Sequence, residues 1–224
     1  MTADAHAMQP IPAETGHAGA PMVIQEGHVA RVISNPILGM LLFITSEVMF
    51  FSGLFAAYFS TRARDLSSDP WKAGQQLLNE ALPSLDHPLS LILIATLLLI
   101  ASSFTCQFAV WAIRRGDRTG FLRNIAFTFV LGIAFLLMQA IDYSVLFGEG
   151  LTLSSSMFGT TYFTLTGFHG AHVFGGVLML GVILYRGMAG QFSARHHDAV
   201  EAVSFYWHFV DVVWIILFST LYLL

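Results

Sequence analysis

The chain has 224 residues, of which 11% are charged and 55% hydrophobic, with 10 Lys and Arg against 14 Asp and Glu and a formal net charge of −4. A soluble domain carries about 25% charged residues, so a chain with this composition and a mean hydropathy of +0.68 lacks the polar side chains to cover a soluble globule. No basic patch stands out beyond scattered loop charges, which speaks against nucleic-acid binding, and a single cysteine, Cys106, rules out an intrachain disulfide or a Cys-rich metal site.

Residues 1–34 are rich in Ala, Gly, His and Pro, have no apolar core of the kind a cleavable signal peptide needs, and read as a flexible tail. Residues 35–224 form the membrane domain. A helix needs about 20 apolar residues to cross about 30 Å of hydrocarbon, and five runs satisfy this, at about 36–59, 88–113, 121–147, 157–185 and 200–224. Asn35-Pro36 is a good start for the first span, whose Gly39, Ser46 and Gly53 recur every seven residues as a small packing face, expected to meet other helices of the same chain. Residues 61–87, with Pro70, Trp71 and Pro83, read as the one long polar connection. The second span holds Cys106 as a small buried apolar residue. A turn at 114–120 leads to the third span, and residues 148–156, without Lys or Arg, lead to the fourth, where Ala171 and Gly175 form a small-xxx-small pair. Residues 186–199 carry Arg186, Arg195 and His196-His197 before the last span.

These runs are long and continuously apolar, so the fold class is an all-α five-helix transmembrane bundle rather than a barrel of alternating strands. Arg31, Arg114, Arg115, Arg118, Arg123, Arg186 and Arg195 fall on one side, and Arg62, Arg64 and Lys72 on the other. The richer side is expected to be cytoplasmic, giving an N-terminus inside and a C-terminus outside.

Ionisable residues at mid-membrane are costly, and each is a site hypothesis. Glu47 lies about 16 Å into the first span at 1.5 Å per residue. His169 and His172 in the fourth span, His208 and Asp211 in the fifth, and Gln139 and Asp142 in the third each have i,i+3 spacing, which puts both members on one helical face. Three readings stay open on the residues alone. The groups can face the interior and pair as a structural hydrogen-bonded network, with Asp–His contacts and a protonated Glu47. His169, His172 and His208 can converge on a metal or haem, although i,i+4 is the more familiar ligand spacing. Glu47 can belong to a proton path.

The motifs carry a resemblance. GMLLFITSEVMFFSGLFAAYF around Glu47, SSFT at Ser102–Thr105, FLLMQAIDY around Asp142, GTTYFTLTGFHGAHVFGG around His169 and His172, and HHDAVEAVSFYWHFVDVVW from His196 to Trp214 together resemble subunit III of the haem-copper cytochrome c oxidases, in order and spacing, over about residues 28–224. The family usually has Glu where Asp142 stands, and the ending TLYLL lacks an aromatic pair often seen there. Longer members have two further helices ahead of the first span, so the chain is similar to the short bacterial form. Ubiquinol oxidases also have a five-helix subunit III, but its first helix usually lacks the Glu of SEVMFF, which favours the cytochrome c enzymes. A proton-coupled transporter, the remaining alternative, is expected to show repeats or broken helices.

The resemblance implies a multi-pass subunit of the bacterial cell membrane that binds no haem or copper and holds no catalytic residue. Haem and copper would reside in partner subunits I and II, with cytochrome c reached through subunit II. This chain would bind phospholipid, support proton uptake and protect subunit I during turnover. Glu47 matches the family's buried carboxylate. Gln139, Asp142, His169, His172, His208 and Asp211 become a structural network that binds no metal, and Arg186 and His28 stand where the family contacts phospholipid. Independently, an Arg at the end of the fourth span can snorkel to a lipid phosphate.

Overall fold

A computed structural model describes residues 34–65, 69–81 and 91–223. Six helices follow one another: α1 (Asn35–Asp65), α2 (Asp69–Ala81), α3 (Leu91–Arg114), α4 (Arg118–Gly148), α5 (Met157–Met188) and α6 (Asp198–Phe218), the last continuing into a π-helical turn, Ser219–Leu223. Five of them, all but α2, are long and apolar enough to cross a membrane. At 1.5 Å per residue, the 32 residues of α5 extend about 48 Å, so the helix either tilts or projects beyond the hydrocarbon.

Local chemistry fixes the ends. The Asp117 carboxylate accepts from the Gly120 amide at 2.9 Å and caps α4, and the Ser156 hydroxyl accepts from the Gly159 amide at 3.0 Å and caps α5. After α3 and α5 the chain reverses through Gly116 at φ +77° and Gly190 at φ +76°, a conformation that penalises any residue with a Cβ. Arg118 donates to the Met188 carbonyl at 2.7 Å, tying the start of α4 to the end of α5. The Arg114 guanidinium meets Glu201 at 2.7 Å, tying the end of α3 to the start of α6.

The polar connection expected at 61–87 is corrected by the structure. α1 runs on to Asp65, and Asp69–Ala81 form a further helix, α2. Its buried side lays Trp71 against Phe158 with ring centroids 5.3 Å apart and against Tyr58 at 5.9 Å. Gly74 packs so closely on Ser156 and Phe158 that an added Cβ would come within 2.7 Å of the serine oxygen. α2 is therefore an amphipathic cover over the end of the bundle. The second span is described from Leu91, so the expected start at 88 lies outside the described residues.

α6 is the hub. It packs on α1, α3 and α5, while α3 and α4 form a long antiparallel pair and α4 leans on α5. Trp207, on α6, is fully buried, and its ring fills the space beside Gly132 of α4 and Gly176 of α5, where a Cβ would come within 2.7 and 2.8 Å of ring carbons. Its indole N–H donates to Ser102 Oγ at 2.9 Å, and one turn pair further Trp214 donates to Thr96 Oγ1 at 3.0 Å. Two α6 tryptophans are thus pinned to two α3 hydroxyls, which meets the requirement that a buried indole N–H find a partner. Large apolar side chains such as Met49, Val130, Leu137, Leu178 and Val212 point outward, as a lipid-facing surface demands.

The small-residue reading also needs correction. A Cβ added at Gly39 or Gly53 would meet nothing within 4 Å, so among the described residues that face of α1 packs on no other helix. Gly175 approaches only the Tyr206 hydroxyl, and Ala171 is exposed. The close helix contacts instead use Gly132 and Gly176, because these stand opposite the largest side chain of α6.

Candidate functional site: polar contacts between the spans

The expected residues do not converge on one centre. They form separate contacts, most of which join one helix to another.

The first joins α1 to α5. Glu47 Oε2 lies 2.9 Å from His172 Nε2, with side chains 19% and 15% exposed. The other ring nitrogen, Nδ1, lies 2.7 Å from the Phe168 carbonyl oxygen. A carbonyl only accepts, so Nδ1 carries a hydrogen and Nε2 is left to share a proton with the carboxyl group. The pair then holds that proton either as carboxylic acid and neutral imidazole or as carboxylate and imidazolium, with the same net charge in both. Phe51 lies tilted against the imidazole at 4.9 Å, Phe50 stacks on it at 6.2 Å, and Tyr206 of α6 donates to the His172 carbonyl at 3.0 Å. The site is apolar on its flanks and polar only where the two groups meet.

His169, one turn earlier, does not join this pair. It is fully buried, stacked on Trp214 at 5.0 Å and edge-on to Phe135 at 6.0 Å, and neither ring nitrogen has a hydrogen-bond partner among the described residues. It packs as an aromatic ring among rings. Three residues advance a helix by about 300°, and the remaining 60° carries His169 away from α1 into the α4–α6 interior.

Asp142 of α4 accepts from Tyr162 of α5 at 3.3 Å, and the Tyr162 hydroxyl also meets that of Tyr222 at 2.6 Å. Beside it, Tyr143 pairs with Thr166 at 2.7 Å. Gln139 and Asp142 line a cavity of about 10 Å³ with Ile92 and Trp214, room for the centre of one water. His208 of α6 lies 2.6 Å from Ser103 and 3.4 Å from Gln107, both on α3. Asp211, its i,i+3 neighbour, does not bond to it; the residue is 5% exposed, and neither buried carboxyl oxygen has a hydrogen-bond partner in good geometry among the described residues. Among the described residues no three His, Cys, Asp or Glu side chains come together as a metal-holding group.

At the helix ends, Arg186 donates to Gln191 at 2.8 Å and lies over the Phe192 ring at 5.0 Å. With His196 and Asp198 these residues line a surface cavity of about 200 Å³. His28 lies outside the described residues. Sequence reasoning missed two sets of contacts. Glu201 binds both Arg114 and His197, the latter at 2.9 Å, and the i,i+4 spacing of His197 and Glu201 was a usable signal. The SSFT run was noted only as a motif, yet Ser102, Ser103 and Thr105 each take a partner on another helix: Trp207, His208 and Thr128.

The comparisons with known proteins agree with this architecture. The family model for cytochrome c oxidase subunit III matches residues 20–224. Cytochrome c oxidase subunit 3 of Corynebacterium diphtheriae is 44% identical over 185 residues, spanning 83% of this chain and 86% of the relative. The subunit 3 proteins of Sus scrofa and Pelomedusa subrufa are each 36% identical, over 198 and 201 residues, spanning 88% of this chain and 73% of theirs. On these matches and on its five apolar spans, the chain belongs to the cytochrome c oxidase subunit III family.

Proposed function

We propose that this chain is the non-redox subunit III of a proton-pumping haem-copper terminal oxidase of a bacterial cell membrane, where it braces the catalytic subunit, holds phospholipid and assists proton uptake. The observation that carries this reading is the use of its polar residues. Glu47 bonds to His172, Asp142 to Tyr162 and His208 to Ser103, each contact joining two different helices. A redox or transport site gathers such groups at one point; a brace distributes them along its seams. Haem and copper belong to partner subunits I and II in this reading, and the reaction of the complex is four-electron reduction of O₂ to water coupled to proton translocation.

Glu47, partly buried against His172, stands in the place of the family's buried carboxylate. It exchanges a proton with His172 without net charge change, which keeps the carboxyl tolerable at mid-depth. Arg186, in its open cavity beside Phe192 and His196, is the residue suited to a lipid phosphate. The Arg114, Arg118 and Arg186 end faces the cytoplasm by the positive-inside rule. The test is an oxidase stripped of this chain. It should keep haem and copper and reduce oxygen at first, then lose activity over successive turnovers faster than the intact complex. A stripped enzyme as durable as the intact one contradicts the bracing role.

A further inference from the structure

Two polar stripes face each other across the α3–α6 seam. On α6, Glu201, Ser204, His208 and Asp211 recur at steps of three and four residues, which keeps them on one helical face. On α3, Ser103, Gln107 and Arg114 stand at steps of four and seven, again on one face. At 1.5 Å per residue the α6 groups lie about 5, 9, 15 and 20 Å from the start of the helix, so the stripe begins near the membrane surface and stops well inside it. Beside Asp211, at the deep end, the seam turns apolar with Ile100 and Ile215.

The shallow half of the seam holds a cavity of about 50 Å³ whose polar lining is Gln107, Arg114, Glu201, Ser204 and His208. A water needs roughly 10–15 Å³ of such space and two to four polar partners, so the cavity has room for about three. Arg114, half-exposed, and Glu201 stand at its mouth, joined at 2.7 Å. The deep half passes from side chain to side chain. His208 Nε2 lies 3.4 Å from Gln107 Oε1 at the cavity floor, its Nδ1 lies 2.6 Å from Ser103 Oγ, and Ser103 stands beside the Asp211 carboxyl. The Ser103 side chain turns about one bond, so its hydroxyl can serve His208 and Asp211 in turn. Both Asp211 oxygens are buried, so a proton reaches them through a neighbouring group rather than from bulk water. Cys106 of α3 lies beside Asp211 and Ser204. The ionisable groups at mid-depth on the other helices packed against α6 have other neighbours: Glu47 of α1 meets His172 of α5, and His169 of α5 stacks on Trp214.

We propose that the α3–α6 seam is a water-filled proton inlet that opens between Arg114 and Glu201 and loads a proton onto Asp211 through His208 and Ser103. This rests on the reading that the chain assists proton uptake and names a group that holds the proton. A hydronium ion in the cavity gives its proton to His208 Nε2 and is left as water. The Nδ1 hydrogen passes to Ser103 Oγ, and the Ser103 hydroxyl hydrogen passes to the Asp211 carboxylate. His208 ends neutral with its hydrogen on Nε2, and Asp211 ends as the neutral acid, the form that hydrocarbon tolerates best. The same steps in reverse return the proton to the same side, because apolar side chains close the seam beyond Asp211.

The experiment takes the intact complex purified through this chain and records infrared difference spectra against Asp211→Asn. A carboxylic C=O band present in the wild type and absent from Asp211→Asn should shift when H₂O is replaced by D₂O. Ser103→Ala removes the hydroxyl between His208 and Asp211 and should slow that exchange by about tenfold or more, the worth of one unmade buried hydrogen bond. Ser103→Thr, which restores a hydroxyl, should return the rate. Water entry is read separately in sealed vesicles, on a Cys106→Ala background. A charged methanethiosulfonate, which reacts with thiolates, should label Ser204→Cys from the side that carries Arg114. It should leave unlabelled Phe108→Cys, an exposed position next to Gln107 on the outer face of α3. Unchanged exchange in Ser103→Ala, no Asp211 band at any pH, or a Ser204→Cys that is unlabelled or labelled only from the opposite side overturns the inlet. If the chain carries no haem-containing partner through purification, the subunit reading itself fails, an outcome distinct from the band and the label.

Discussion

Replacing Glu47 separates a bracing carboxyl from an obligatory proton carrier. In Glu47→Gln the side-chain amide keeps the volume and offers an N–H to His172 Nε2, so the 2.9 Å contact survives in kind. Interhelical hydrogen bonds in membranes average about 0.6 kcal/mol and reach about 1.7, and a conserved contact should shift stability by less than about 1 kcal/mol. Glu47→Leu removes the partner and strands Nε2, which adds a desolvation cost of about 1–3 kcal/mol. The pair retains 15–19% side-chain exposure, so the lower half of that range applies. The double substitution Glu47→Leu with His172→Leu strands nothing and should recover most of the loss, although Phe168 O loses a donor. The assays are the amount of assembled complex on native gels, its thermal retention in detergent, and oxygen consumption per haem. The expected order of stability is wild type, Gln, double Leu, single Leu, with oxygen reduction by the Gln variant largely intact. A correctly assembled Gln variant with almost no turnover refutes the reasoning and makes Glu47 a proton carrier.

Three further outcomes are expected. Gly176→Ala drives a Cβ to within 2.8 Å of Trp207 and should destabilise the bundle by about 1–3 kcal/mol, whereas Gly39→Ala, with nothing within 4 Å, should be neutral or slightly stabilising; thermal unfolding of the two variants compares them. Changing His169, His172 and His208 singly to Asn should leave the haem and copper content of the assembled complex unaltered by absorption spectroscopy and metal analysis. A phosphatase reporter fused after Leu224 should be active outside the cytoplasm, and activity restricted to the cytoplasm would reverse the proposed orientation.

The five spans were legible because continuous apolar length is a strong signal that needs no knowledge of neighbours. α2 was harder: its 13 residues lie in a polar stretch, with Trp71 and Leu78 buried, and the run was read as a loop. Its opening Asp69-Pro70 was a usable helix start. The glycines show what sequence cannot supply. Gly39 and Gly53 recur as regularly as any packing face, yet Gly132 and Gly176 do the packing, and only the position of Trp207 on a helix far along the chain decides it. The candidate site followed the same division. Depth in the membrane and i,i+3 spacing singled out Glu47, His172, His208 and Asp211 on each helix. Which helix each would meet depends on contacts across 100 residues or more, as for Glu47 with His172 and Ser103 with His208. His169 and His172 share a stretch of one helix but part company by 60° of rotation, enough to give one a carboxyl partner and the other a tryptophan.

The central claim is that this chain works as a redox-free brace within an oxidase, and purification through this chain tests it most directly. The account predicts a complex with haem absorption and bound copper in which larger subunits carry both, and a chain that, once separated from them, retains neither. A chain that purifies without any haem-containing partner, or that keeps haem or copper after separation, contradicts it.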